Sequence, residues 1–147
     1  MREFKGRVVV GGTCTAAALV SYGGVNTLAS FQKALMFGDK EATCSDQNNE
    51  DLYGKGIKGT ALCLPQTIGS TTGGLVIYSA AAMERQPACM LFSKPIDSLA
   101  AAGVILADNW TDVTMPAIDN LGDEFLEYVK TGMKITVKED GIVVVED

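Results

Sequence analysis

The run Thr60-Ala61-Leu62-Cys63-Leu64-Pro65-Gln66-Thr67-Ile68-Gly69-Ser70-Thr71-Thr72-Gly73-Gly74-Leu75-Val76-Ile77-Tyr78-Ser79-Ala80-Ala81-Ala82-Met83-Glu84-Arg85 decides the fold class. It begins as a short apolar stretch of strand length, passes through a glycine-, serine- and threonine-rich turn, and continues as an alanine-rich segment long enough for a packed helix. Just downstream, Ala88-Cys89-Met90-Leu91-Phe92 supplies a second apolar strand, and Pro95-Ile96-Asp97-Ser98 an N-cap ahead of a helix over 99–108. Strand, helix, strand and helix in alternation imply a parallel sheet. Upstream, Arg7-Val8-Val9-Val10 and Ala16-Ala17-Ala18-Leu19-Val20-Ser21 read as strands on either side of Gly11-Gly12. Downstream, 113–118 reads as a further sheet strand and 123–130 as a short helix with acids in its first turn. The segments 133–138 and 142–145 flank Asp140-Gly141, a hairpin signal. Residues 22–59 show little periodicity and are expected to be mostly surface loop. The whole reads as one α/β domain over 1–147, a parallel sheet with an added β layer.

Composition narrows the function. The chain has 147 residues, of which 47% are hydrophobic, enough to close one core and to exclude disorder. Twelve basic residues against eighteen acidic ones give a net charge of −6, which repels phosphate backbones and anionic lipid, so neither nucleic acid nor membrane is an expected partner. No apolar run is long enough to span a bilayer and no secretory signal opens the sequence, so a cytoplasmic protein is expected. Cys14, Cys44, Cys63 and Cys89 form no Cys-x-x-Cys pair and are expected to be free thiols. Histidine is absent, which removes Ser-His, Cys-His and His-metal chemistry from what this chain does alone.

Two glycine patterns invite a ligand. Gly54-Lys55-Gly56-Ile57-Lys58-Gly59 spells G-x-G-x-x-G, yet it precedes a strand instead of following one and opening a helix, which rules out the dinucleotide reading. The turn from Gly69 to Gly74 has the correct context. Backbone N–H groups at a helix start lack intrahelical acceptors and carry partial positive charge, so they hold an oxyanion without side-chain cations. No lysine follows the glycines, so the expected guest is a carboxylate or isolated phosphate, not a nucleotide. A Ser70 hydroxyl acting as base or nucleophile needs an activator, and a chain without histidine must take it from another polypeptide. Ser70, Thr71 and Thr72 serve equally well as caps of the helix with no chemistry at all. Asp97 and Ser98 read as a cap. Trp110, Phe31, Phe37 and Tyr53 need no role beyond the core, although Phe31 falls in the presumed long loop. The acidic stretch 45–51 lacks the EF-hand order of acids and glycine, and no metal is assigned to this chain.

The stretch Pro65-Gln66-Thr67-Ile68-Gly69-Ser70-Thr71-Thr72-Gly73-Gly74, followed in order by Pro95-Ile96-Asp97-Ser98-Leu99-Ala100-Ala101-Ala102-Gly103, resembles the small, swivelling subunit of aconitase X. Gly6-Arg7, Gly11-Gly12, Ser30-Phe31, Leu52-Tyr53-Gly54 and Thr131-Gly132 extend the resemblance over most of the chain. It implies a three-layer β/β/α swivelling domain that closes over a separate large subunit, in a heterodimer or higher assembly, and a hydro-lyase activity on a small hydroxy carboxylic acid. By the same likeness Ser70 is the proton acceptor, while Gly69, Thr71, Thr72, Gly73, Ser30 and Phe31 bind substrate. Iron, as a single ion or an iron–sulfur cluster, is expected in the large subunit and no cofactor in this one. The segment 95–103 resembles the cis-3-hydroxy-L-proline dehydratases more than the mevalonate 5-phosphate dehydratases, the alternative substrate class. A non-catalytic anion-binding regulatory module is the remaining alternative. Departures from the family pattern are Gln32-Lys33-Ala34-Leu35-Met36 after Ser30-Phe31, a longer stretch over 32–53, and Ile68 where a basic residue is common.

Overall fold

Four strands form the parallel core of a computed structural model that describes residues 1–69 and 73–147. In chain order the elements are β1 (Arg2–Lys5), β2 (Arg7–Val10), β3 (Cys14–Val20), β4 (Val25–Asn26), α1 (Thr27–Phe37), β5 (Ala61–Leu64), β6 (Thr67–Ile68), α2 (Gly73–Ala82), β7 (Cys89–Phe92), α3 (Ser98–Trp110), β8 (Ala117–Asp119), α4 (Asp123–Tyr128), β9 (Lys134–Val137) and β10 (Ile142–Glu146). Strands β3, β5, β7 and β8 pair in parallel in that spatial order, with Ala18 opposite Ala61, Ala61 opposite Cys89 and Met90 opposite Ala117. The order advances one way only. Right-handed crossovers then place α1, α2 and α3 all on the same face of the sheet.

The opposite face takes a second β layer. Strand β3 is long enough to serve both: Cys14 to Ala17 pair antiparallel with β9, and Ala18 to Val20 pair with β5. The β9–β10 hairpin and β1 complete the antiparallel layer. β1 and β2 are consecutive in the chain, turn at Gly6, and pair with β10 and β8 respectively, so the two ends of the eight-strand order meet in one bent run.

Alternation along the parallel strands divides the interior in two. Leu62, Leu64, Met90 and Phe92 pack under the helices with Val76, Ile77, Ala100 and Val104. Ala61, Cys63, Cys89 and Leu91 face the second sheet, where they meet Phe4, Phe125, Ile135, Val137, Val143 and Val145. Layers of sheet, sheet and helix result, as expected. The helices themselves touch through glycine: a β-carbon on Gly74 would run into the Leu99 carbonyl oxygen, and one on Gly103 would lie 2.5 Å from the Gly74 carbonyl oxygen.

Three expectations need correction. Residues 22–59 are not mostly surface loop: they contain β4 and α1, and Ala42, Cys44, Leu52 and Ile57 are buried in the helix-side core. Two backbone bonds, Ser45 N–H to the Ser30 carbonyl and Ile57 N–H to the Ala42 carbonyl, tie the segment down. The last parallel strand, Ala117–Asp119, overlaps the expected 113–118 stretch only at residues 117 and 118, and the sequence reading has no counterpart for the Arg2–Lys5 strand. The four cysteines are unbridged, and no described helix is long and apolar enough to cross a membrane.

Candidate functional site

In parallel α/β sheets a ligand is favoured at the carboxyl ends of the strands, where the chain turns into helices. Here that edge gathers the starts of three helices. Asn26 caps α1, its side-chain oxygen accepting from Ala29 N–H at 3.1 Å. Asp97 caps α3, accepting from Ala100 N–H at 3.0 Å. Between them runs the chain from β6 into α2, whose first residue is Gly73. Gly69 has φ +100°, a left-handed backbone that glycine adopts without penalty, and a β-carbon there would sit 2.7 Å from the Asn26 amide nitrogen. On the far side of the turn, the Thr27 hydroxyl donates to the Gly73 carbonyl at 3.4 Å.

Two hollows flank this turn and share Ile68. One, of about 140 Å³, is lined by Thr67, Ile68, Gly69, Gly73, Asp97 and Leu99. The other, of about 260 Å³, lies among Gly23, Gly24, Asp46, Asn49, Glu50 and Asp51. The starts of α2 and α3 bring partial positive charge from backbone N–H groups to the first hollow, beside the Asp97 carboxylate. Carboxylates give the second the opposite sign. Ile68 separates them with half of its surface exposed.

Of the residues singled out in the sequence, Gly69 and Gly73 line the smaller hollow, whereas Ser70, Thr71 and Thr72 lie outside the described residues. Ser30 and Phe31 lie in α1, one turn along from its cap; both are buried and neither lines either hollow. Phe31 packs in the helix-side core, so its place is in a helix and not in a loop. The Ser30 hydroxyl is buried without a hydrogen-bond partner. Phe37, Tyr53 and Trp110 are exposed and do not converge with this turn as a ligand wall. Among the described residues no three Cys, Asp or Glu side chains are arranged to hold a metal ion.

Sequence reasoning missed three contributors: Asn26, Thr27 and Thr67. The signal for the first two was present, an Asn-Thr step ahead of Thr27, Ser30, Phe31 and Ala34 at helical spacing. Behind the site, the fully buried Asp119 fixes the approach to α3. Both of its oxygens bind the Arg7 guanidinium, at 2.9 and 2.6 Å, and one also accepts from Ile96 N–H at 2.7 Å. Hydrogen bonding to Asp119 and its charge hold the Arg7 guanidinium above its ordinary value, so it stays a cation.

Residues 3–145 match the family described as the aconitase X swivel domain. The chain is 31% identical over 135 residues to the phosphomevalonate dehydratase small subunit of Methanocella arvoryzae, covering 92% of each. To the protein of the same name in Thermococcus kodakarensis it is 27% identical over 147 residues, covering 99% of this chain and 98% of the relative. The crystal structure of Thermococcus kodakaraensis aconitase X in its holo-form superposes with a TM-score of 0.82 at 28% identity, covering the whole of both chains.

Proposed function

This chain belongs to the aconitase X swivel domain family, and from that premise we propose that it is the small subunit of a dehydratase acting on mevalonate 5-phosphate in company with a large subunit. As a family member it is part of a hydro-lyase, and the substrate assignment rests on one observation: relatives aligned over more than nine-tenths of both chains carry that substrate in their names. The assignment departs from the cis-3-hydroxy-L-proline expected from 95–103. In that segment Asp97 caps α3 and Gly103 packs against α2, work that any member of the fold requires whatever its substrate.

The chemistry asked of this chain is proton removal. In the proposed elimination the C–H bond α to the carboxylate breaks, its proton passes to the Ser70 alkoxide, which becomes a hydroxyl again, its electron pair becomes the new C=C bond, and the β-hydroxyl leaves as hydroxide with the C–O bonding pair. Gly69 and Gly73, with Thr71 and Thr72, are assigned to the substrate carboxylate, and Ser30 and Phe31 to the wall behind it. Support comes from the helix starts that converge at this turn and from the rule that oxyanion stabilisation is strongest where water is excluded. An iron centre in the large subunit would assist the departing hydroxyl, and, since this chain has no histidine, the group that takes the Ser70 proton beforehand would also come from another chain.

One observation favours the hydroxyproline reading: the hollow beyond Ile68 is lined by Asp46, Glu50 and Asp51, which suit an ammonium better than a phosphate. Reconstitution with the large subunit, assayed for water loss from both substrates, decides between them. Turnover of mevalonate 5-phosphate is the expected result, with Ser70→Ala at least tenfold slower, about 1.4 kcal/mol of barrier. Turnover of cis-3-hydroxy-L-proline alone overturns the substrate; an undiminished Ser70→Ala overturns the base; binding without turnover by the assembled pair leaves the regulatory module.

A further inference from the structure

A helix N-cap needs one acceptor, and Asp97 has two. Its Oδ2 accepts from Ala100 N–H and thereby caps α3. Serine or threonine would do as much. Its Oδ1 accepts from the hydroxyl of Thr67 at 2.5 Å, a contact across thirty residues that contributes nothing to the cap. Thr67 opens the two-residue β6, which pairs with β4 and leads through Gly69 into the turn before α2. We propose that Asp97 is a positioning residue for the reaction: through Thr67 it fixes where the chain enters the Ser70 turn. The proposal rests on the reading of Ser70 as the proton acceptor.

Three features support it. Asp97 is itself held from behind, because the neighbouring Ile96 N–H is bound to the buried Asp119, so the carboxylate is a fixed point. Thr67 and Asp97 line the same small hollow as Gly69 and Gly73, so a shift of the clasp displaces the cradle directly. Third, each carboxylate oxygen of Asp97 faces its own donor, the Thr67 hydroxyl and the Ala100 N–H, so the side chain is held from two elements at once. The opposite flank is held as well, with Asn26 directly over Gly69 and the Thr27 hydroxyl donating to the Gly73 carbonyl.

The test uses the enzyme assembled with its large subunit. Thr67→Val keeps the shape and the α3 cap but removes the hydroxyl. The expected result is a kcat lower by about tenfold to a hundredfold, the range for a displaced reacting group, with KM within about twofold and an unchanged melting temperature. Thr67→Ser restores kcat. A Thr67→Val enzyme with undiminished kcat overturns the proposal, as does a loss of turnover that only follows a loss of melting temperature and is not recovered by serine. Ser70→Ala in parallel keeps the two ideas apart. Undiminished turnover there removes the reading on which the clasp depends; an inactive Ser70→Ala beside a fully active Thr67→Val removes the positioning role alone.

Discussion

On one face of the parallel sheet, Cys63, Cys89 and Leu91 meet side chains of a second sheet; on the other, Leu62, Met90 and Phe92 meet helices whose own backbones touch at Gly74 and Gly103. The first face is filled by large apolar groups, with Phe4 set edge-on to Phe125 at 5.3 Å between ring centroids. The second carries buried hydroxyls at Thr27 and Ser30 and close helix contacts that tolerate no added atom. Packing volume stabilises the first. Exact placement of helix starts is what the second provides, and the candidate site lies at its edge.

The contrast can be broken most forcefully on the sandwich side. Phe125→Ala empties a fully buried ring site and is expected to cost about 4 kcal/mol in urea unfolding, while turnover per folded complex stays unchanged. Lost turnover at intact assembly would show the two faces to be coupled. On the helix side, Gly74→Ala forces α2 away from α3 and is expected to cost about 2 kcal/mol, with turnover falling further than stability because Gly73 moves with it. Equal loss of both would erase the distinction.

A pH dependence is also expected, confined to the sandwich. Burial pushes the Cys63 thiol well up, and Cys89, donating its hydrogen to the Cys14 sulfur, is raised too, while Cys14 is lowered. A raised thiol keeps its proton in the folded chain after the unfolded chain has lost it. Its contribution is complete below the unfolded value, about pH 8.5, and declines as pH rises beyond it, with a slope approaching about 1.4 kcal/mol per pH unit per thiol. Thermal melts from pH 7 to 10 should show that decline, and Cys63→Ala should flatten it. An unchanged slope would place the titrating group elsewhere.

Much of this was legible because parallel strands buried on both faces are unbroken apolar runs, as at 61–64 and 89–92. The hairpin was legible from Asp140-Gly141 and the α3 start from Asp97. Helix α1 was not, although its buried positions 27, 30, 31 and 34 have helical spacing, because two of the four are Thr and Ser and so carry no apolar signal. The residues at 42, 44, 52 and 57 enter the core singly, without a period to announce them. At the site, the glycine turn is a local feature and could be read. The Thr67–Asp97 contact could not, since it joins side chains thirty residues apart, on β6 and at the start of α3.

The bend at Gly6 has an effect beyond the arrangement of layers. Six of the eight strands are hydrogen-bonded on both sides, and the other two are halves of a single run joining the sheet's ends. Such a circuit presents no long unpaired ladder onto which a foreign chain can add a strand. Recognition of any companion then falls to side chains and turns, which can release, instead of to main-chain zippering, which would lock.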